Sequence, residues 1–275
     1  MATYLDAILA AHRAAGEKDG REAEVIFAEA GARAEPVRDF EAALRAPGLS
    51  VIAEVKRRSP SKGDLAPDLD PAGLARAYAA GGAACLSVLT DVEFFGGSAA
   101  DLAAARAATE LPVLRKDFTV SALDVADARL MGADAILLIA AALSDAELAE
   151  LAARAAGLGL TVLHEVHDEA ELERVLDVGA TLVGVNQRDL FSFEVDTDRA
   201  VRVGRSMPDG VVRVAESGIS GPEDAVRLTD AGFDAVLVGE SLVRSPDPAA
   251  AVAALRAAAK TPASRIAPAH VPARR

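Results

Sequence analysis

Short runs rich in Val, Ile and Leu recur along the chain with amphipathic stretches between them, the pattern of repeated strand–helix units and a parallel sheet. Eight runs stand out: SVIAEVKR (50–57), ACLSVLT (84–90), PVLRKDF (112–118), AILLIA (135–140), TVLHEV (161–166), LVGVNQR (182–188), VVRVAES (211–217) and AVLVGES (235–241). Most follow a small turn, as in GGAAC, GADA, GLGL, GATL and GFDA, which fits a glycine closing one helix before the next strand. Between the runs, 145–156 and 168–178 carry apolar residues at three- and four-residue spacing. Several of these stretches open on Asp or Ser with an acidic residue close behind, as at Ser144-Asp145 and Ser220 to Asp224, the chemistry of an N-cap. Eight strands each followed by a helix predict a closed (β/α)8 TIM barrel, with an open doubly wound sheet as the alternative.

About fifty residues precede the first strand and read as helices over 4–15 and 21–32, an N-terminal helical cap (1–49) on a single barrel domain (1–260). The last stretch, 261–275, has Pro and Arg without periodicity and is expected to be a flexible tail without chemistry. The length of 275 residues suits one large domain with a well-buried core. Hydrophobic residues make up 51% of the chain, yet the longest apolar run, 135–143, is too short to span a bilayer. The N-terminus lacks a basic leader and carries Asp6 inside its apolar stretch, so neither a secretory signal nor a transit peptide is expected; the cytoplasm is. Cys85 is the only cysteine and there are four histidines, which predicts no disulfide and no metal site of recognisable spacing. The net charge of -13 disfavours nucleic acid and anionic membrane as partners, and any anionic small substrate needs a local basic pocket. Only five of the 29 basic residues are Lys, so each lysine's position is informative.

A TIM barrel places its active site at the C-terminal ends of the strands. Polar residues at those ends are Glu54 and Lys56 on the first strand, Lys116 on the third, Glu165 on the fifth, Asn186 and Arg188 on the sixth, and Glu216 with Ser217 on the seventh. Side chains alternate along a strand, so Glu54 with Lys56, and Asn186 with Arg188, each share a face and can point into one pocket. Any one of them alone is equally well a solvated loop residue or a salt bridge plugging the mouth; two of five lysines together with three glutamates is hard to attribute to solubility. Carboxylates buried beside lysines take opposed pKa shifts, which lets one group act as acid and another as base.

Phosphate is held by backbone N–H groups, which barrels often supply from the loops after strands seven and eight. Ser217-Gly218-Ile219-Ser220 and Gly239-Glu240-Ser241 lie in those loops. His164 adjoins Glu165 and is expected to face the helices as a packed residue; His167 falls near a helix start, while His12 and His270 lie in terminal segments. Cys85 reads as a small core residue, and Phe94, Phe95 and Phe118 as either packing or the wall of a pocket for a flat ring.

These residues resemble one family, the indole-3-glycerol phosphate synthases. The resemblance runs in order through EVKRRSPSKG (54–63), SVLTDVEFFGGS (87–98), LRKDF (114–118), EVHDEAEL (165–172), VGVNQRDL (183–190), AESGI (215–219) and VLVGESLVR (236–244), covering nearly all of the barrel. It implies a cofactor-free ring closure of 1-(2-carboxyphenylamino)-1-deoxyribulose 5-phosphate with loss of carbon dioxide and water. By the same resemblance Lys116 matches the general acid, Glu165 the general base, and Lys56 the lysine on the substrate carboxylate. Glu54, Asn186 and Glu216 match groups that orient lysines and sugar hydroxyls, and Arg188 supports substrate geometry. Ser217, Gly218, Gly239 and Ser59 match phosphate contacts; Phe95, Phe118 and Leu137 are candidates for the aryl pocket. Glu240 stands where a small residue is also common, so its carboxylate must turn away from phosphate and leave the backbone to bind it. The implied partner is a phosphorylated small molecule, and a monomer is expected.

Two other classes remain open at this point. Another phosphosugar barrel enzyme, such as phosphoribosylanthranilate isomerase or a Schiff-base aldolase, uses similar phosphate loops, and only the aldolase forms a borohydride-trappable imine through a lysine. A non-catalytic barrel scaffold is the second, against which the full set of polar strand-end groups speaks.

Overall fold

The computed structural model describes residues 4–190 and 193–258, so the expected flexible tail lies outside the described residues. Eight strands form a closed barrel: β1 (Ser50–Val55), β2 (Cys85–Leu89), β3 (Val113–Lys116), β4 (Ala135–Ile139), β5 (Thr161–Val166), β6 (Leu182–Asn186), β7 (Val212–Glu216) and β8 (Ala235–Val238). All neighbours run parallel, and β1 closes the ring by pairing Ser50 with Ala235 of β8 and Ile52 with Cys85 of β2. Several predicted runs overshoot the strands. β1 stops at Val55, not Arg57, and β8 stops at Val238 because Glu240–Val243 turns into a short helix. The polar residues beyond those points leave the ladder to form the loops at the barrel's mouth.

Twelve helices accompany the strands among the described residues: α1 (Tyr4–Lys18), α2 (Ala23–Gly31), α3 (Phe40–Leu44), α4 (Pro71–Ala80), α5 (Ala99–Ala108), α6 (Ala122–Met131), α7 (Asp145–Gly157), α8 (Glu169–Asp177), α9 (Arg199–Gly204), α10 (Pro222–Asp230), α11 (Glu240–Val243) and α12 (Pro248–Ala258). Local chemistry sets their ends. Ser144 and Ser121 each form a capping box with the acid three residues on, Glu147 and Asp124, satisfying N–H groups that the helix itself leaves free. Gly132 ends α6 at φ 94, a left-handed conformation that costs an L side chain but not glycine.

The barrel separates two apolar layers, which is why each strand reads as a run rather than an alternation. Outward residues such as Val51, Leu86, Ile136, Leu138, Val183 and Val236 pack under the helices. Inward residues such as Ile52, Cys85, Leu114, Leu137, Leu163, Val214 and Leu237 fill the lower barrel. Helix α3, too short for sequence periodicity to reveal, plugs the lower end: Phe40 and Leu44 are fully buried in that inner cluster. Cys85 is a free thiol in the same cluster, and burial raises its pKa.

Helix α1 lies across the opposite end. Its Tyr4 ring meets Phe94 and Phe193 edge to face, at 5.9 and 5.4 Å between centroids. His12 Nε2 sits 3.0 Å from Asp91 Oδ2 and 3.8 Å from Asp117 Oδ1, on the loops after β2 and β3. Arg13 reaches Glu147 at 2.7 Å and the carbonyl of Ala142 at 3.2 Å, both beyond β4.

Two outcomes follow. Phe40→Ala removes the plug and should cost about 3–5 kcal/mol, read as a lower denaturant midpoint. Burial opposes charge on His12, but Asp91 and Asp117 outweigh it and hold the imidazole pKa above its ordinary value. The contribution of this contact is therefore complete below the ordinary histidine range and lost as pH rises through the elevated pKa. Hydrogen exchange in α1 should quicken over that rise in the wild type and be fast throughout in His12→Ala.

Candidate functional site

The inward positions that are apolar low in the barrel become charged at its upper end. One alternation above Ile52, Leu114, Leu163 and Val214 stand Glu54, Lys116, Glu165 and Glu216. Asn186 is the corresponding residue of β6, paired in register with Glu216. The structure thus brings together from five strands the six residues expected to carry the chemistry. Lys116 Nζ lies 3.1 Å from Glu165 Oε2 and 3.6 Å from Glu216 Oε2. Asn186 Nδ2 donates to Glu165 Oε1 at 3.0 Å, while its Oδ1 accepts from the Arg188 backbone N–H. Lys56 Nζ pairs with Glu54 Oε1 at 2.5 Å, and Ser87 donates to the other oxygen of Glu54 at 3.4 Å.

Burial sorts these groups by charge. It works against the Lys116 ammonium, yet Glu165, Glu216 and Glu54 overcome it and raise the lysine pKa. Burial likewise pushes Glu165 up, but Lys116, His167 and the Asn186 amide bring it below the usual carboxylate range. Glu216 goes the other way: burial, with Glu165 and Glu54 nearby, lifts it to about 8 against the pull of Lys116. At neutral pH the inner group is an ammonium, a carboxylate and a protonated acid, and its charges cancel. Burying an uncompensated charge costs several kcal/mol, so a second ionised glutamate there is disfavoured.

A cavity of about 760 Å³ opens above this layer. Lys56, Lys116, Asn186 and Glu216 form its floor, and Ser59, Ser217, Gly218, Gly239, Glu240 and Arg188 lie around it. Ser217 and Gly218 both adopt positive φ, 66 and 69°, and the Gln187 side chain donates to the Ser217 carbonyl at 2.7 Å, holding the turn. The Ser241 hydroxyl donates to the Ile219 carbonyl at 3.1 Å and ties the two glycine-containing loops together. The Glu240 carboxylate lies 3.9 Å from Arg244 along the short helix. Lys62 and Arg244 also line the cavity, so a chain of net charge -13 presents a basic wall beside these loops. Neither was singled out in the sequence, though Lys62 is one of the scarce lysines.

The aromatic candidates are placed differently. Phe95 and Phe118 pack together at 6.3 Å between centroids, with His12 5.4 Å from Phe118, and neither lines the cavity. Leu137 is 2% exposed within the lower barrel. Glu165 sits behind Lys116 and Asn186 with its side chain 1% exposed. His164 is buried and burial lowers its pKa to about 4; it borders a surface groove with Ala152 and Ala156 of α7, on the helix side as expected. His167 directly precedes the Asp168 cap of α8. Among the described residues, His12, Asp91 and Asp117 alone bring three potential metal-ligand atoms within 4.8 Å of one another. Those atoms are already engaged with one another and with Arg115, 3.1 Å from Asp117, whose charge opposes a cation.

Two glycines define the floor, and only Gly239 was a sequence candidate. A Cβ at Gly239 would overlap Glu54 and lie 3.0 Å from Lys56 Nζ. A Cβ at Gly184 of β6 would overlap Glu216 Oε1 and lie 3.3 Å from Leu163. A glycine inside a strand often marks such a close approach. Gly184→Ala should therefore leave a folded barrel with Glu216 displaced and turnover reduced about tenfold or more, since misplacement of this order disturbs positioned groups. Circular dichroism alongside steady-state kinetics checks it.

The family model for indole-3-glycerol phosphate synthase matches residues 5–255 of the chain. The chain is 51% identical over 264 residues to indole-3-glycerol phosphate synthase 1 of Streptomyces coelicolor, covering 96% of this chain and 98% of that one. It is 52% identical over 264 residues to the indole-3-glycerol phosphate synthase of Mycobacterium ulcerans, covering 95% and 96%. To that of a Nocardioides species it is 57% identical over 218 residues, covering 79% and 84%. Thiamine phosphate pyrophosphorylase from Pyrococcus furiosus shares the fold alone, with a TM-score of 0.58 at 17% identity over 76% of this chain and 95% of that chain. The matched span takes in every barrel strand and the charged floor between them, and on that ground the chain belongs to the indole-3-glycerol phosphate synthase family.

Proposed function

We propose that the strand-end lysines and glutamates carry out the ring closure that gives the family its name: 1-(2-carboxyphenylamino)-1-deoxyribulose 5-phosphate becomes indole-3-glycerol phosphate, carbon dioxide and water. The observation that carries the assignment of roles is Lys116, held as an ammonium between Glu165 and Glu216 at the floor of the cavity. The phosphate goes to the basic side, against the Ser217-Gly218 and Gly239-Glu240 backbone near Lys62, Arg188 and Arg244. That leaves the ketone over Lys116 and the anthranilate carboxylate near Lys56.

The ring carbon bearing the carboxylate attacks the ketone, and Lys116 gives its proton to the developing alkoxide. Loss of carbon dioxide restores the ring. The new hydroxyl then departs as water with a second proton, from Lys56, while Glu165 takes a proton from the neighbouring ribulose carbon. Two protons are supplied and one is recovered, so each turnover of the ionised substrate draws one from solvent. Glu165, 3.1 Å from Lys116, can hand its recovered proton back to that lysine, which leaves Lys56 as the one that solvent recharges through the mouth.

The same electrostatics separates this chemistry from that of an aldolase. Imine formation needs a free amine, produced by a depressed lysine pKa, whereas the three glutamates raise that of Lys116. We further propose that the enzyme works in the cytoplasm as a monomer; no helix of the described residues is long and apolar enough to cross a membrane.

The chain has no Trp, so formation of the indole product is readable as fluorescence on a low background. Purified protein should turn over the carboxyphenylamino-deoxyribulose phosphate, and Lys116→Ala and Glu165→Ala, with folding checked by circular dichroism, should each lose about 10²- to 10⁴-fold in kcat. A folded wild type without a signal on verified substrate would sink the assignment. Borohydride with substrate should leave the protein's mass unchanged.

A further inference from the structure

His167 stands just past the end of β5 and takes no part in the steps above. Two residues beyond Glu165, it follows the same alternation toward the mouth. Its backbone N–H donates to Glu171 Oε2 at 2.7 Å, and its Nδ1 meets the same oxygen at 3.0 Å. Glu171 belongs to the first turn of α8, so a regular element anchors the ring. A carboxylate at Nδ1 favours a proton on that nitrogen. The other ring nitrogen, Nε2, is buried without a hydrogen-bond partner and lies 3.8 Å from Glu165 Oε1. The charged groups facing the ring are Glu165 on its own strand, Glu171 on α8 and Arg199 on α9. Burial and Arg199 disfavour an imidazolium, but the two carboxylates outweigh them and the imidazole pKa is raised.

The reaction creates a need for this charge. Lys116 is the nearest cation to Glu165, and it loses its proton in the first step. Glu165 is then a carboxylate with a 1% exposed side chain, beside a neutral amine and a second acid. Without another cation it takes up a proton and ceases to be a base. We propose that His167 is a positioning residue acting through Glu165: its imidazolium, anchored by Glu171, is the second counter-ion that keeps the base ionised while Lys116 is discharged. The inference rests on reading Lys116 as the acid and Glu165 as the base.

One arm of the test needs no turnover. The imidazole of His167 is titrated by NMR in the wild type and in Glu165→Gln; its pKa should fall in the variant, and an unchanged value overturns the pairing. The second arm is the pH dependence of kcat in His167→Gln, which keeps a polar side chain without the charge. With a cation lost, Glu165 is harder to ionise, so the acidic limb should move to higher pH by about one unit, kcat on that limb should fall about tenfold, and KM should stay within about twofold. An unmoved limb with kcat within about twofold overturns the proposal and leaves His167 a strut of α8. If the wild type does not turn over substrate, the parent reading fails while the NMR titration still decides the pairing; the same titration decides if His167→Gln does not fold.

Discussion

The Lys116 ammonium between Glu165 and Glu216 is the contact around which the upper barrel is arranged. Three ionisable groups this close, two of them with almost no exposed surface, are tolerable only if their charges cancel, because a single unpaired buried ion costs an amount comparable with a large share of a domain's net stability. The structure meets this condition by leaving one glutamate protonated, with Glu216 lifted to about 8, and by pairing Lys56 with Glu54 separately. Geometry follows from the same condition. Gly184 and Gly239 have no side chains because the Glu216 and Glu54 carboxylates occupy the space a Cβ would fill.

Below that layer the barrel is an apolar plug of Ile52, Leu114, Leu163, Val214 and their neighbours, sealed by Phe40 and Leu44. The contrast between halves is functional. An apolar floor keeps the dielectric low beneath the charges, which strengthens the Lys116–Glu165 attraction and raises the cost of any rearrangement. Helix α1 bears on the upper rim, where Tyr4 and His12 touch the loops after β2, β3 and β6. The two ends of the barrel are therefore served by separate pieces of the segment before β1.

The eight strands were legible because a barrel strand buried on both faces cannot avoid writing an apolar run. Their ends were not: Lys56, Arg57 and Arg188 continue the pattern in sequence but leave the ladder where the backbone turns to build the mouth. The charged floor was legible because lysine is scarce here and strand alternation is strict, so Lys56 and Lys116 stand out at strand ends. Gly184 looked like any small strand residue, since its meaning lies in a carboxylate on the next strand. Nothing in the sequence distinguishes His12 from any residue of a terminal helix, because its partners, Asp91 and Asp117, are distant in sequence and adjacent only after folding. Phe95, Phe118 and Leu137 show the opposite limit: aromatic and apolar character marks a wall but does not distinguish the wall of a cavity from the packing behind it.

Net charge and local charge part company in the same way. A total of -13 speaks against polyanion partners, yet Lys56, Lys62, Lys116, Arg188 and Arg244 converge on one cavity. Their surroundings divide the labour. The arginines and Lys62 line the side of the cavity beside the glycine-containing loops, where their donors can meet a phosphate. Lys116 is held among acidic groups that favour its proton. A lysine isolated in an apolar pocket would lose its proton before the substrate arrived, and one in open solvent would have no partner to regulate it. Only the intermediate setting, buried but outnumbered by acids, keeps an ammonium charged at rest on the floor of the cavity, which is the condition the proposed acid has to meet.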